Sequence, residues 1–412
     1  MHILFITDNF PPESNAPASR TFEHASLWVK MGHRVSVITC FPNFPFGNVY
    51  PGYKRGIYIK EIMNGIEVHR VWSYMTANQG FFKRIIDFIS FMIAAIPGSF
   101  MVKKPDIVIA TSPQFFSAVA GYMVGFLKRI PFVFEVRDLW PEQILVVGVM
   151  KKGVIIHILF KLANFLYHHA ARVVALGDGY KVQICKGYNV SPEQIEVIPN
   201  GILPELFSKQ TQRDSVRDSM GLQDHFILLY LGTHGLSQKL ETILETAKIL
   251  KAHEDIQFVF IGDGAEKEKL VHMKEEQHID NCTFLSLQPK EKVPGFYEAA
   301  DACVIPLRKC DLFQGNYPSK MFESMAMECP IILSADGICS QLLNESNAGI
   351  CVEPENPIAL SQAIISLKQD TERRKKMGVN GRKFVVENYS REAWAKKYIN
   401  LMEQVISHNH RT

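Results

Sequence analysis

Two doubly wound α/β domains in tandem are what the sequence predicts, on three grounds. Short β-branched runs alternate with longer helical patterns along nearly the whole chain, as parallel strands joined by crossover helices require. The runs form two series, parted by a polar, charged stretch at 204–225 that reads as a linker. The chain has 412 residues, 47% hydrophobic and 21% charged, which supplies apolar material for two sizeable cores and is the reverse of a disordered composition.

The first series runs HILFIT, RVSVIT, DIVIAT, FVFEV, RVVAL and IEVIP, with helical patterns near 18–31, 81–102, 114–129, 153–171 and 178–187 between them. One insertion breaks the rhythm: IYIKEIM and IEVHRVW flank Asn64-Gly65, a pair that favours a type I′ hairpin. The second series is FILLYLG, IQFVFIG, CTFLS, ACVIPL, PIILS and GICVEP. Near the end, Trp394, Tyr398, Leu401, Met402 and Val405 recur at spacings of three and four, which predicts an amphipathic helix over 391–408 packed on a neighbour. The expected domains are 1–203 with a returning terminal helix at 391–412, and 204–390. Ligands in such sheets bind beyond the carboxyl ends of the strands, and a cleft between two facing domains is the default site.

The net charge of +3 is too slight for wholesale nucleic-acid binding, and no nucleic-acid partner is expected. The charge is unevenly placed. Residues 1–205 carry an excess of six positive charges and the remainder an excess of three negative, which reads as two halves with different partners. The eight cysteines form no CxxC pair and no metal-ligand spacing, so free thiols in a reducing compartment are expected. The apolar run at the N-terminus turns polar at Thr7 and is too short for a secretion signal, so no export is expected.

The segment with most chemistry in it is Asn316-Tyr317-Pro318-Ser319-Lys320-Met321-Phe322-Glu323, ahead of the strand PIILS. Pro318 and Ser319 mark a helix start, where unpaired N–H groups and the positive end of the dipole can hold a phosphate. Lys320 adds a cation. Glu323 lies one turn in, one residue too far for a capping box, and a carboxylate there can accept two hydrogen bonds from a ribose diol. Taken alone, such a segment reads rather as a solvated helix Glu and a cap.

Its company decides. The second series opens FILLYLGT, followed by His234-Gly235-Leu236-Ser237-Gln238-Lys239; further on come Gly262-Asp263-Gly264 and, earlier, VIPNGI. In this order and spacing they resemble glycosyltransferase family 4, sugar-nucleotide-dependent transferases of the GT-B fold: two Rossmann-like α/β domains facing a central cleft. The resemblance covers nearly the whole chain. It implies that Glu323 binds the ribose of the donor, that the backbone at Ser319 and Lys320 behind Pro318 holds the diphosphate, and that Gly232 approaches the donor phosphates. The family's usual Arg and Lys in that glycine-rich loop fall on Thr233 and Gln238, and the first Glu of its E-x7-E pair falls on Gly315. Lys320, Lys239 and His234, with Gly235 beside them, are therefore the donor-binding candidates left to meet the diphosphate charge. The P-S-K variant resembles the branch that transfers N-acetylated amino-deoxy sugars, the N-acetyl-L-fucosaminyltransferases of bacterial surface polysaccharide and O-antigen or lipopolysaccharide synthesis.

In the first domain, PFVFEVRDLWPE places Arg137 and Asp138 at a strand end where the family commonly has a His-Asp pair. Asp138 is the candidate to orient or deprotonate an acceptor hydroxyl and Arg137 to bind a phosphate or developing charge; the plainer reading is a helix cap and an ion pair with Glu135 or Glu142. The loop DNFPPESNAPASR has no GxGxxG; Glu13, Asn15 and Arg20 are acceptor-contact candidates or simply parts of a structural loop. The pair His168-His169 on an apolar helix reads as core or interface.

Ile85 to Val102 is nearly all apolar, flanked by Lys83-Arg84 and Lys103-Lys104, with Asp87 and Pro97-Gly98 counting against a membrane span. It reads as an interfacial helix on anionic headgroups or as a core helix. The resulting expectation is a metal-independent, retaining glycosyltransferase with no tightly bound cofactor. Its donor is a nucleotide-sugar, a UDP-sugar by preference, its acceptor a polyprenyl-diphosphate-linked saccharide, and its place the cytoplasmic face of the cell membrane. The alternatives are a sugar-nucleotide 2-epimerase of the same fold, which needs no acceptor, and a non-catalytic nucleotide-sugar-binding protein at the membrane.

Overall fold

The computed structural model describes residues 1–76, 81–112, 114–148, 150, 153–315 and 317–409. The chain divides into two compact units, Met1–Pro199 with Glu392–Thr412, and Asn200–Arg391.

The first unit holds an eight-stranded sheet: β1 (His2–Ile6), β2 (Arg34–Cys40), β3 (Tyr58–Met63), β4 (Ile66–Val71), β5 (Ile107–Thr111), β6 (Phe132–Val136), β7 (Arg172–Ala175) and β8 (Ile195–Val197). Their order is β3-β4-β2-β1-β5-β6-β7-β8, and every pairing except β3 with β4 is parallel. β1, β5 and β6 are buried along their whole length, which explains why they read as continuous apolar runs rather than alternating ones. The hairpin expected at Asn64-Gly65 is present. Both residues have positive φ, 48° and 79°, the requirement of a type I′ turn. The helix Arg391–Asn409 returns to this unit, where Tyr398 stacks edge-on against Trp28 at 5.3 Å and Trp28 Nε1 donates to the Ala395 carbonyl.

The second unit holds a fully parallel six-stranded sheet: β9 (Phe226–Leu231), β10 (Ile256–Ile261), β11 (Cys282–Leu285), β12 (Ala302–Pro306), β13 (Ile331–Ser334) and β14 (Gly349–Val352). Its order, β11-β10-β9-β12-β13-β14, is the doubly wound arrangement in which the winding reverses between the first and fourth strands. One layer of apolar side chains packs on each face, one around Met321, Met325 and Leu342, the other around Leu244, Leu270 and Ile364.

The stretch 204–225 is no linker. It contains the helix Arg213–Met220 and belongs to the second unit. Its polarity is satisfied internally. Arg213 and Arg217 grip the two oxygens of Asp301 at 2.8 and 2.6 Å, and Asp301 also accepts the Ile227 N–H at 2.9 Å. Arg217 is buried and donates to three further carbonyls, so a charge that looked like a solvated linker residue pins the helix to the edge of β9. Removing the carboxylate leaves a buried guanidinium without its counter-charge. Asp301→Ala is expected to lower the unfolding free energy by about 3–5 kcal/mol, read from the denaturant midpoint.

Candidate functional site

In the second unit the winding reverses between β9 and β12, and the loops that follow those two strands lie at the position where doubly wound sheets bind ligands. Backbone bonds tie these loops together: the Arg308 N–H donates to the Ser237 carbonyl at 2.9 Å, and the Gly232 N–H to that of Ile261, also at 2.9 Å. The loops after β9 and β10 touch closely enough that a Cβ on Gly262 would lie 2.0 Å from the Gly232 carbonyl oxygen.

The helix Ser319–Ala326 starts here, with Pro318 as its N-cap in extended conformation. The Met321 N–H closes onto the Pro318 carbonyl at 3.0 Å, which leaves the Ser319 and Lys320 N–H groups without a partner among the described residues. Lys320 is held. Its Nζ donates to the Tyr230 hydroxyl at 2.9 Å and lies 4.1 Å from the centre of that ring. Gly232, at φ +147°, leaves the room: a Cβ there would meet Nζ at 2.8 Å. Burial pushes the Lys320 pKa down to about 8, against the pull of Cys303 and Glu323. One turn on, Glu323 accepts a hydrogen bond from the Tyr297 hydroxyl at 3.2 Å. Asn200 Nδ2 donates to the Tyr317 carbonyl just before the helix. Asn316, which opens the motif, lies outside the described residues.

His234 does not meet the expectation of a diphosphate-facing cation. It is fully buried among Tyr230, Phe260 and Phe284, and neither ring nitrogen has a hydrogen-bond partner among the described residues. Desolvation, with the nearby Lys267 and Lys320 charges, pushes its pKa down to about 3, so the imidazole is neutral. Gly235 accepts the Gln238 N–H in a tight turn. Lys239 sits at φ +49° and faces Glu241 at 3.8 Å.

In the first unit Arg137 and Asp138 follow β6, and both N–H groups approach Ser112 Oγ, at 3.0 and 3.5 Å. Burial pushes the Asp138 pKa up to about 6, against the opposing pull of Arg137 and a hydrogen bond from Gln143. Asp138 is not a cap: the next helix, Glu142–Val146, has Pro141 at its N-cap. Glu135 is held by Arg20, and Glu142 accepts from the Tyr188 hydroxyl at 2.6 Å.

Two of the three acceptor-contact candidates are corrected by their burial. Arg20 is 2% exposed, paired with Glu135 at 3.1 Å and bonded to the Ile198 and Pro199 carbonyls. Glu13 is 3% exposed, and its Oε1 accepts the Asn43 and Phe44 N–H groups, both at 2.8 Å. Each is directed into its own unit. Asn15 caps the helix Ala16–Lys30 by accepting the Ala18 N–H at 2.9 Å.

Three residues of this region escaped the sequence reading. Tyr230 and Tyr297 carry no motif: one lies within the apolar strand FILLYL, the other in the short helix VPGFYEA. Arg308 could have been found, because it lies two residues past the strand ACVIP, at the carboxyl edge where ligands bind. It lines a small pocket with Leu307, Cys310, Phe313, Gln314 and Asp336. Among the described residues no group of three or more His, Cys, Asp or Glu is placed to hold a metal ion.

Residues 18–206 match the family model described as Glycosyltransferase Family 4, and residues 212–384 match that described as Glycosyl transferases group 1. The chain is a GT-B glycosyltransferase of this family. A curated relative, the putative colanic acid biosynthesis glycosyl transferase WcaI of Escherichia coli K12, is 26% identical over 387 residues, covering 90% of this chain and 94% of its own. Among solved structures, sucrose-phosphate synthase from Thermosynechococcus elongatus superposes with a TM-score of 0.81 at 17% identity, over 99% of both chains. Anabaena Alr3699/HepE in complex with UDP-glucose gives 0.75 at 13% identity, over 98% of this chain and 100% of that one. These two are likenesses of fold.

The buried imidazole gives this glycosyltransferase a defined pH response. His234 has a folded pKa below its unfolded value near 6.5, so between about 3 and 6.5 the unfolded chain binds the extra proton and stability falls as pH falls. From pH 6.5 to 5 the wild type should lose about 2 kcal/mol more unfolding free energy than His234→Phe, measured by denaturation at each pH.

Proposed function

We propose that the chain transfers a sugar from a nucleotide-diphosphate donor to a lipid-linked saccharide, with retention at the anomeric carbon. The carrying observation is the start of the helix Ser319–Ala326, where two N–H groups unpartnered among the described residues, a fixed ammonium and a carboxylate one turn on lie at the ligand-binding edge of a doubly wound sheet. The N–H groups of Ser319 and Lys320 and the Lys320 ammonium receive the diphosphate. Glu323, oriented by Tyr297, takes the ribose hydroxyls. Arg308 supplies a second cation to the same edge in place of the arginine that Thr233 lacks. The neighbour HepE was solved with UDP-glucose, which supports a uridine nucleotide here. The relative WcaI is named for colanic acid biosynthesis, which supports a surface-polysaccharide role, and the P-S-K motif supports an N-acetylated amino-deoxy hexose as the sugar.

On the acceptor side we assign Asp138 to orient or deprotonate the attacking hydroxyl, with Arg137 beside it. A carboxyl group lifted to about 6 is a better base near neutral pH than an ordinary aspartate. Catalysis is then positioning together with stabilisation of the leaving diphosphate. Glu323→Ala removes charge-assisted hydrogen bonds, each worth about 1.5–3 kcal/mol, so kcat/KM for the donor should fall about 10–100-fold. Unchanged kinetics would remove the assignment, and product formed from donor alone would mark an epimerase instead.

The first unit supports work at a membrane surface. Lys83–Met101 is 19 residues long with a mean hydropathy of 1.5, and 28% of its most apolar window is buried, where a core helix would be mostly buried. Ile86, Ile93 and Phe100, seven residues apart, share one exposed face. Phe126 and Leu127 of the helix Phe115–Lys128 are exposed as well, and Lys128 joins the two helices by donating to the Val102 carbonyl and lying over the Phe100 ring. Asp87 is turned into the unit, where burial and Asp8 push its pKa up to about 7. With Lys83, Lys103 and Lys104 at its ends, this face fits the anionic inner leaflet of the cell membrane. The protein should sediment with anionic vesicles at low salt and be released by salt, and Ile93→Glu with Phe126→Glu should abolish the association; recovery in the supernatant at low salt overturns it.

A further inference from the structure

Tyr230 is buried at the end of β9, where nothing in the reaction chemistry calls for a phenol. Its hydroxyl has two bonds in sequence. It accepts from Lys320 Nζ at 2.9 Å and donates to the Thr233 carbonyl at 2.6 Å. The ammonium also lies over the ring face, 4.1 Å from its centre. A single side chain thus joins the first residue pair of the phosphate-side helix to the glycine-rich loop, through the space left open by Gly232.

We infer that Tyr230 is a positioning residue for the donor diphosphate, holding the Lys320 ammonium in place through the chain Lys320 Nζ, Tyr230 Oη, Thr233 O. This rests on the donor reading of the same site. An unsupported lysine is a flexible four-carbon stem with a mobile charge. Here its ammonium is fixed before ligand arrives, so the cost of ordering it on binding is reduced. The titratable groups around it come from three elements. Cys303 on β12, His234 in the loop after β9 and Tyr230 itself are all neutral near pH 7, because burial raises the thiol and the phenol and lowers the imidazole. Glu323, on the same helix, supplies the opposite charge. A neutral phenol that accepts from the ammonium keeps it protonated in a half-buried place, and without the hydroxyl the proton leaves at lower pH.

The experiment measures inorganic pyrophosphate affinity of the full chain by calorimetry from pH 6.5 to 9.5, for the wild type, Tyr230→Phe and Lys320→Met. Affinity of the wild type is expected to weaken above a pH near 8. Tyr230→Phe keeps the ring and loses the hydroxyl, so its affinity at pH 7.5 should fall about tenfold and the alkaline limb should move about one unit toward acid, the effect of losing one hydrogen bond to a charged donor. A merely structural role would weaken binding without moving the limb. A Tyr230→Phe profile that overlays the wild type, or one that is weaker with its limb in place, overturns the inference. Lys320→Met should bind weakly at every pH with no limb. If instead it binds like the wild type, the donor reading itself falls, and the two failures are told apart. Should Tyr230→Phe not fold, the ε-CH2 carbon–proton resonance of Lys320 in the wild type, assigned by its absence in Lys320→Arg, carries the test. It should show the upfield shift of an aromatic ring and lose part of it when pyrophosphate binds, and a resonance without that shift overturns the inference.

Discussion

An ammonium held against a phenol at the carboxyl edge of two adjacent parallel strands is the constraint around which the second unit's site is arranged. Desolvating a lysine costs several kcal/mol unless hydrogen bonds and ring contacts replace the water it loses. Lys320 obtains both from Tyr230. That single pairing fixes the surrounding choices. The residue opposite must lack a side chain, hence Gly232; β9 must carry an aromatic residue with a hydroxyl next to its end; and the helix must begin at Ser319, behind the Pro318 cap, so that its second residue reaches across.

The first unit uses its buried charge differently. Arg20, Glu135 and the carbonyls of Ile198 and Pro199 form a closed set, with Thr111 Oγ1 donating to the other Glu135 oxygen. Such a set satisfies its own hydrogen bonds and leaves nothing for a ligand, which is the condition under which a buried ion pair is tolerable. It binds the helix Ala16–Lys30, β6 and the end of β8 into one rigid floor. What this unit leaves partly uncovered at the same strand ends is Asp138, whose raised pKa follows from burial with only Arg137 and Gln143 to offset it.

The strands were legible because parallel strands covered on both faces must be largely apolar, and HILFI, FVFEV and IQFVFI each carry a single polar residue. The hairpin was legible because only Asn-Gly suits two successive positive φ angles so well. The stretch 204–225 was misread since polarity marks solvent only when no partner is folded against it, and Asp301 lies about eighty residues further along the chain. Arg20, Glu13 and His234 failed in the same way: composition shows a charge or an imidazole, while burial and partners are set by strands distant in sequence. The motif at Ser319–Glu323 was read correctly as a helix start because its N-terminal signals are local. Its supports, Tyr230 and Tyr297, come from other elements and leave no local mark.

The departures from the family pattern form one correlated choice. A glycine-rich loop carrying an arginine and a lysine would place two more cations beside Lys320, and each would lower the pKa of an ammonium already near 8. In this chain those positions are Thr233 and Gln238, both uncharged, and the intervening His234 is kept neutral by burial and by the very lysine it neighbours. With Thr233 and Gln238 uncharged and Lys239 facing Glu241, Lys320 can stay protonated while half-buried, where its charge is screened less than at the surface. The loop thus gives up two cations, and the site relies on one fixed ammonium with Arg308 at the same edge. A fixed cation in a region of low dielectric attracts a diphosphate more strongly than a mobile one in water does, and it needs a rigid anchor to do so, which is the place the Tyr230 phenol fills.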